Sequence, residues 1–448
     1  MLIKITVKNF KSFDKENILS MVSSSKIQSH PDHKIKIKNV TLLKNSVIYG
    51  ANASGKSNLV EVFHFIKWTV EKGLPMESRD FFCKNKKENR HRESEFELQF
   101  TFDRKFYAYG FKAILAEGMI TEEWLYELKS QEGKMIYEFE KNQKPVLGKE
   151  NIKVSEEEKL RFDIYAKDYL ETDGQLFLTE LNRNKKYQKD SGLIIFNEVY
   201  RWIQENLIVI TPNTSSANME YYYGNDSAER VNELMKSLDT GVSQVFLKKI
   251  DLEEMKNSLS KEMYEEIKDN IQESINAARA VKISVRGRNT FITVIVKNKE
   301  ILISKLCTRH NNSEFDFNYS EESDGTKRIL DLIDMIFSPK KNAIYVVDEL
   351  DRSLHPKLTA HFLRVFMKEH ENDNVQLIFS THEASLMDEN MFRRDEIWFV
   401  ERDADNNSDI YSLDIFKERY DKRLCKAYLE GRYGAIPVFQ DFEFKDGK

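Results

Sequence analysis

The stretch Gly50-Ala51-Asn52-Ala53-Ser54-Gly55-Lys56-Ser57 fits the pattern G-x-x-x-x-G-K-[ST]. The apolar run at 46–49 predicts a buried strand before it, and residues 58–63 predict the start of a helix after it. Glycines let such a loop curl until its backbone N–H groups point at phosphate oxygens, and the helix N-terminus adds partial positive charge. The sequence therefore predicts a strand–loop–helix unit that binds the phosphates of a nucleoside triphosphate.

Individual residues of this loop have predicted roles. The Lys56 ammonium is expected to reach the β- and γ-phosphates, and the Ser57 hydroxyl is expected to ligate Mg²⁺. The residues predicted to contact nucleotide in and beside the loop are Gly50, Asn52, Ala53, Ser54, Gly55, Lys56, Ser57 and Asn58.

A second acidic motif follows an apolar run at 342–347, which predicts another buried strand ending in Asp348 and Glu349. Ligands of doubly wound sheets bind at the carboxyl ends of strands. We therefore expect Asp348 to hold Mg²⁺ through its water shell, and Glu349 to orient or deprotonate the attacking water.

Two further features point to the same phosphates. Ser323 and Gly325 lead directly into a helical pattern, which is a second anion-binding helix N-terminus. The apolar run at 375–381 predicts another buried strand, and His382 at its end is expected to contact the γ-phosphate.

Together these motifs resemble the ATP-binding-cassette (ABC) ATPases, in the branch that contains RecF, SMC and OLD-type proteins. The resemblance covers residues 1–60 and roughly 300–400. It implies that the 50–57 loop is Walker A, residues 323–325 are the signature loop, and residues 347–349 are Walker B. It also implies that ATP and Mg²⁺ are the cofactors, that Ser57 and Asp348 bind the metal, that Ser323 and Gly325 bind nucleotide, and that Lys56, Glu349 and the switch residue His382 are catalytic.

The signature departs from the form found in membrane transporters. Glu322 stands where leucine is usual, and Thr326 and Lys327 replace a Gly-Gln ending. These differences favour the soluble branch. The tail at 428–437 resembles that of the AAA-family ATP-binding proteins of abortive-infection and anti-phage systems.

The fold implied is an α/β ABC-type P-loop domain with a mixed sheet flanked by helices, an antiparallel β-subdomain, a short inserted helical arm and no long coiled coil. Strand patterns at 95–102, 104–111 and 121–128 predict the β-subdomain. Gln99 is a candidate for the Q-loop glutamine of the ABC class, although strand glutamines are common. The predicted segments are 1–150 for the first half of the ATPase, 151–280 for a mostly helical arm interrupted by a core strand near 207–212, and 281–448 for the second half and tail.

Composition limits the remaining possibilities. The 448 residues are 40% hydrophobic and 12% aromatic, which describes a folded globular protein. No apolar run approaches the roughly 20 residues that span a bilayer, and no signal peptide or cysteine framework is visible, so we expect a cytoplasmic protein without a membrane partner.

The formal net charge of -5 restricts nucleic-acid contact to the basic runs at 84–92 and 182–189, each of which is better explained as a solvated loop. The acidic cluster at 401–405 is interpreted as a solvated turn.

The leading functional hypothesis is an ATPase that assembles as a homodimer, or a higher even-numbered oligomer, through its ATP sites. In the ABC class the signature loop of one subunit closes over ATP held by the other, so Ser323 and Gly325 are expected to act in trans. The hypothesis assigns the chain to prokaryotic anti-phage defence, where it would regulate a separate effector such as a nuclease or another toxin. Two alternatives stay open: a RecF-like DNA-repair ATPase that clamps DNA, and a nucleotide-gated scaffold with little turnover.

Overall fold

The computed structural model describes residues 1–129, 133–170, 174–212, 225–277, 280–286, 290–298, 300–337, 340–416 and 423–437. The strands within these ranges are β1 (Leu2–Lys8), β2 (Asn17–Ser20), β3 (Lys34–Ile37), β4 (Val40–Leu43), β5 (Asn45–Tyr49), β6 (Ser94–Phe102), β7 (Lys105–Ile114), β8 (Met119–Leu128), β9 (Gly133–Glu140), β10 (Val146–Leu147), β11 (Leu207–Ile210), β12 (Val242–Ile250), β13 (Val281–Arg286), β14 (Phe291–Lys297), β15 (Glu300–His310), β16 (Phe317–Asn318), β17 (Ile344–Val347), β18 (Gln376–Ser380), β19 (Ile397–Arg402) and β20 (Ser408–Ser412). The α-helices are α1 (Lys56–Lys72), α2 (Glu156–Tyr169), α3 (Phe177–Asn182), α4 (Ile194–Arg201), α5 (Asn225–Ser237), α6 (Leu252–Ser258), α7 (Lys261–Asn276), α8 (Asp324–Leu332), α9 (Asp334–Phe337), α10 (Pro356–Glu369) and α11 (Leu424–Leu429).

The chain divides into two compact units. The first unit comprises Met1–Ile210, Lys340–Leu350 and Glu371–Lys448, and the second comprises Thr211–Pro339 and Asp351–His370. This division differs from the three predicted segments. Helices α2 to α4 belong to the first unit, whereas α5 to α7 belong to the second, so the region 151–280 does not form one arm.

Two sheets build the first unit. The core sheet has the order β11-β17-β18-β5-β19-β20 and is parallel except for β20. The second sheet is antiparallel, with the order β10-β9-β8-β7-β6-β1-β2. The hairpin predicted at 95–111 is confirmed as β6 and β7, and the predicted α/β P-loop fold with an antiparallel β-subdomain is confirmed.

Helix α1 packs between these two sheets. It contacts β11, β17 and β18 of the core sheet. On the antiparallel side, the Phe65 ring lies 4.9 Å from that of Phe96 and 5.2 Å from that of Phe10. Gly73 ends the helix in the left-handed region (φ 86°) and donates its N–H to the Thr69 carbonyl, which is the usual glycine stop. Packing on two sheets therefore fixes the helix that begins at the predicted phosphate loop.

A buried carboxylate holds α3 against the antiparallel sheet. Glu123 of β8 is 1% exposed and accepts hydrogen bonds from the hydroxyls of Tyr109 (2.9 Å) and Tyr137 (2.6 Å). It also accepts the backbone N–H groups of Phe177 (2.6 Å) and Leu178 (3.1 Å) at the start of α3. Burial raises the pKa of Glu123, and these hydrogen bonds act in the opposite direction. This network explains why α3 belongs to the first unit.

The second unit is built on an antiparallel sheet of order β12-β15-β14-β13, with β16 added to β15. The segment 151–280 was predicted to be mostly helical apart from a strand near 207–212, and this prediction is wrong for 242–250, which form β12. The register between β12 and β15 shifts between Val242 and Gln244. The shift leaves Val242 and Val245 buried three residues apart, a spacing that imitates a helix.

The described helices are short. The longest of them, α1, has 17 residues, which agrees with the predicted absence of a long coiled coil. Within the described ranges, no helix combines the length and the apolar character needed to cross a membrane.

Candidate nucleotide-binding site

The parallel strands of the core sheet bring the predicted catalytic motifs to one edge. Val347 of β17 pairs with Phe379 of β18, and Phe379 pairs with Val47 of β5. The three strands therefore end nearly level, and the loops that follow them start from the same edge. Walker A, the Asp348–Glu349 pair and His382 leave from this edge, as the sequence predicts.

The Walker A loop is closely packed at both of its glycines. A Cβ atom on Gly50 would lie 2.5 Å from Ser54 Oγ and would overlap the Val400 carbonyl. Gly55 has a φ of 114°, and a Cβ there would overlap Ser408 Oγ. Neither position has room for a side chain, so packing of the loop against the rest of the protein requires glycine at both.

The polar groups of the loop suit a phosphate chain. The Lys56 side chain is 5% exposed, and its Nζ donates to the carbonyls of Gly50 (2.8 Å) and Ala51 (3.0 Å). Ser54 Oγ is buried without a hydrogen-bond partner in the described residues, which is the condition of a donor awaiting an acceptor. Asn52, Ala53 and Ser57 are exposed. An ammonium, a spare hydroxyl and uncovered backbone fit a triphosphate.

Residues far away in the sequence hold this loop in place. Asn58 Nδ2 donates to Ser12 Oγ (2.8 Å), and the Ser408 N–H donates to the Ser12 carbonyl (2.7 Å). Ser408 Oγ donates to the Ser54 carbonyl (2.5 Å). The amide of Asn58, a predicted nucleotide contact, is thus used to position the turn around Ser12. No local pattern identifies Ser408, which is about 350 residues from the loop that it supports.

Ser380, at the end of β18, links the two acidic residues. Its hydroxyl donates to Asp348 Oδ1 (2.6 Å) and accepts the N–H of Glu349 (2.8 Å). Asp348 is 6% exposed, and its own N–H bonds the Ile210 carbonyl (2.8 Å). No sequence pattern singles out Ser380, because its role depends on pairing between separate strands. The bond from Ser380 orients the Asp348 carboxylate at this edge of the sheet.

Glu349 and His382 lie next to each other. Glu349 Oε1 is 4.0 Å from His382 Nε2, and their side chains are 36% and 42% exposed. Glu349 has a φ of 46°, in the left-handed region that glycine usually occupies. Such a backbone costs on the order of 1–3 kcal/mol. Oxygen donors that suit Mg²⁺ at this edge are the Ser57 hydroxyl and the Asp348 carboxylate.

The signature residues lie in the second unit. Ser323 caps α8, and its Oγ accepts the N–H of Thr326 (3.1 Å). A Cβ on Gly325 would lie 2.8 Å from the Ser353 carbonyl, so packing within this unit already requires glycine. Ser323 and Gly325 thus belong to a different compact unit from the Walker residues.

Glu322, the unusual signature residue, is buried in a polar network. It is 6% exposed and accepts hydrogen bonds from Thr308 Oγ1 and from His310 Nε2, the latter at 2.9 Å. Both partners lie on β15. A leucine here would leave the Thr308 hydroxyl without this acceptor, which explains the departure from the transporter pattern.

The prediction of a solvated turn at 401–405 is wrong for Glu401. Glu401 accepts the N–H of Ala435 (2.9 Å) and the hydroxyl of Tyr411 (2.8 Å). In the same tail, the Tyr428 ring lies 5.7 Å from the ring of Tyr49, the residue before Gly50. The 428–437 tail therefore packs against the strand that leads into the Walker A loop, a role that its sequence did not reveal.

Residues 46–388 match the family model described as "AAA domain, putative AbiEii toxin, Type IV TA system". The chain belongs to this family. Membership in the AbiEii-type AAA family makes it a P-loop ATPase at the family level, with nucleotide binding as the family property. The resemblance to abortive-infection ATPases is confirmed at that level. A search of curated proteins found no match.

Solved structures of SMC heads are similar over most of their length. The SMC head bound to the C-terminal winged-helix domain of ScpA matches with a TM-score of 0.44 and 14% identity, covering 92% of this chain and 97% of that one. The SMC head domain from Thermotoga maritima matches with a TM-score of 0.34 and 16% identity, covering 92% of this chain and 98% of that one. A third match is the Smc head domain with an extended coiled coil, bound to the C-terminal domain of ScpA derived from Pyrococcus furiosus. Its TM-score is 0.41 at 14% identity, and the match covers 96% of this chain and 98% of that one. These TM-scores are too low to support an inference about function or assembly.

Proposed function

We propose that the protein hydrolyses ATP at the carboxyl edge of its core sheet. The observation that carries the proposal is the Ser380 hydroxyl, which bonds both Asp348 and the backbone of Glu349 on a strand level with the one that enters Walker A. This arrangement supplies a metal-binding carboxylate and a second, more exposed carboxylate beside it. Hydrolysis of a phosphoanhydride needs both functions.

Each residue has a role in the proposed reaction. The Walker A amides, Ser54 and Lys56 bind the phosphates, while Ser57 and Asp348 hold Mg²⁺, which neutralises charge on the β- and γ-phosphates when bound. Glu349 orients the attacking water and accepts its proton, and His382 contacts the γ-phosphate. The short distance between Glu349 and His382 supports the assignment of both to the γ-phosphate end.

The chain is proposed to close as a dimer on ATP, with Ser323 and Gly325 of one subunit completing the site of its partner. Two features support this: the signature and Walker residues belong to separate compact units, and α8 presents a capped helix N-terminus suited to an anion. ATP that binds only the closed state stabilises it by mass action. In a prokaryotic anti-phage system, such closure would regulate a separate effector, a nuclease or another toxin.

The basic run at 84–92 gives little support to the DNA-clamping alternative. Lys86 and Arg92 pair with Asp14 at 2.7 and 3.5 Å, and Lys84 pairs with Asp80 at 3.3 Å. Three of its cations are thus already paired within the chain, which weakens their attraction for phosphate. ATP turnover that rises on addition of duplex DNA would favour clamping, and nucleotide binding without turnover would favour the scaffold.

Glu349→Gln tests the proposed chemistry. Asp348, Lys56 and the loop are unchanged, so ATP binding should persist, while loss of the base should slow steady-state hydrolysis by about 10²–10⁴-fold. Glu371→Gln, an exposed change in the same unit, is the matched control and should hydrolyse ATP at the wild-type rate. Wild-type turnover by Glu349→Gln would overturn the assignment.

A further inference from the structure

A second cluster of ligating side chains lies in the segment between β2 and β4. His30, Asp32 and His33 occupy a single helical turn, Pro31–His33, and the residue before it. One ring nitrogen of each histidine and one carboxylate oxygen of Asp32 all lie within 4.8 Å of one another. The separation between His33 Nε2 and Asp32 Oδ2 is 3.8 Å.

Each imidazole ring is oriented by a hydrogen-bond acceptor that lies close to one of its two nitrogens. His33 Nδ1 lies 2.9 Å from Glu396 Oε2, and His30 Nε2 lies 2.7 Å from the Glu389 carbonyl. Because a carboxylate and a carbonyl only accept, each of these nitrogens carries the proton. In the neutral rings, the lone pairs are therefore on His33 Nε2 and His30 Nδ1. Histidines that bind metals are held in this way, with the second nitrogen donating to a carboxylate or a carbonyl.

The support behind these rings is buried and fixed. Glu396 is fully buried and also accepts from Asn45 Nδ2 (3.1 Å) and from the Arg393 N–H (2.8 Å). The His33 side chain is 7% exposed, whereas that of Asp32 is 51% exposed. One side of the cluster is thus rigid, and the other is open for an ion to enter.

We propose that His30 Nδ1, His33 Nε2 and an Asp32 carboxylate oxygen form a binding site for a divalent transition metal of the zinc class, with a fourth position open to water. Two imidazoles and a carboxylate suit Zn²⁺, whereas Mg²⁺ prefers oxygen ligands alone. Tetrahedral zinc sets its donor atoms about 3.3 Å apart. The donors lie within 4.8 Å of one another before any metal binds, so binding has to draw them together, and the Asp32 side chain, which is 51% exposed, has room to rotate.

The site is separate from the nucleotide edge. Asn45 begins β5, and Glu396 immediately precedes β19, so the cluster lies at the amino ends of these parallel strands. Walker A follows the carboxyl end of β5. Bound metal would fasten the turn at 30–33 to the segment at 389–396, which already contact each other through His30 and His33.

Zinc titration of the full-length, tag-free protein, stripped with EDTA and dialysed, tests the proposal. Competition against a chromophoric chelator should detect one site in the wild type that His30→Gln and Asp32→Asn each weaken by at least about tenfold. His64→Gln is the matched control, because His64 is also partly exposed and also lies beside a carboxylate, 3.3 Å from Glu61. It should bind zinc like the wild type.

His30→Gln and Asp32→Asn change exposed or half-exposed groups, so folded protein is expected, and circular dichroism checks this. His33→Gln is avoided because the residue is buried. Zinc affinity unchanged in both variants, or absent from the wild type at micromolar zinc, would overturn the proposal. Anomalous scattering at the zinc edge gives a second readout: a peak between the three side chains supports the site, and a peak only elsewhere refutes it.

Discussion

At the scale of single residues, Lys56 has two tasks in this account. Its Nζ braces the loop through the carbonyls of Gly50 and Ala51, and it is the proposed cation for the phosphates. Lys56→Ala should therefore reduce ATP affinity by at least about a hundredfold, since charge-assisted bonds to phosphate are lost. Isothermal titration with ATP measures this. Lys72→Ala, an exposed change at the other end of the same helix, should leave affinity unchanged, and the same result for Lys56→Ala would contradict the phosphate-binding role.

Contiguous patterns predicted the residues of the site, but not the residues that hold them. Gly50, Lys56 and Asp348 stand in short motifs whose spacing is dictated by phosphate and metal chemistry. Ser380 and Ser408 act through contacts with residues about 30 and 350 positions away. Such contacts depend on strand pairing, and no local periodicity encodes which partner a serine will meet.

At the scale of elements, Glu123 joins β8 to the start of α3. Glu123→Ala would leave two tyrosine hydroxyls and two backbone N–H groups without their acceptor and would open a cavity. The free energy of unfolding should fall by about 3 kcal/mol or more. Urea denaturation followed by circular dichroism measures it. Glu140→Ala, an exposed change on the adjacent strand β9, should alter stability by less than about 0.5 kcal/mol. Equal effects of the two changes would show that the buried network does not stabilise this junction.

Strands and helices were predictable where the apolar residues recur at the spacing of a single type of element. The β6–β7 hairpin and the helix after Walker A carry unambiguous alternation or helical spacing. β12 was missed because its register shift disguises a strand as a helix. The boundary of the helical region was also missed, because it depends on the buried Glu123, which in the sequence is one of several glutamates in a strand.

At the scale of the whole molecule, we propose that ATP joins two chains through a site shared between Walker A of one chain and the signature of the other. The sequence supports this only through resemblance, since contacts between chains leave no local pattern. Two complementary variants separate a shared site from one built within a single chain. Lys56→Ala removes nucleotide binding. Ser323→Asp keeps a side-chain cap on α8 while placing a negative charge where the γ-phosphate should approach.

Native mass spectrometry of the two variants, mixed with Mg²⁺–ATP in a Glu349→Gln background and distinguished by tag mass, is the most direct test. We expect that neither variant dimerises alone. The mixture should form a heterodimer carrying one ATP, held by the Walker A loop of the Ser323→Asp chain and the signature of the Lys56→Ala chain. Ser260→Asp, the same substitution at the exposed cap of α7, where the Ser260 Oγ accepts the N–H of Met263, should dimerise alone. A mixture that stays monomeric, while the Ser260→Asp control dimerises, would contradict the shared site.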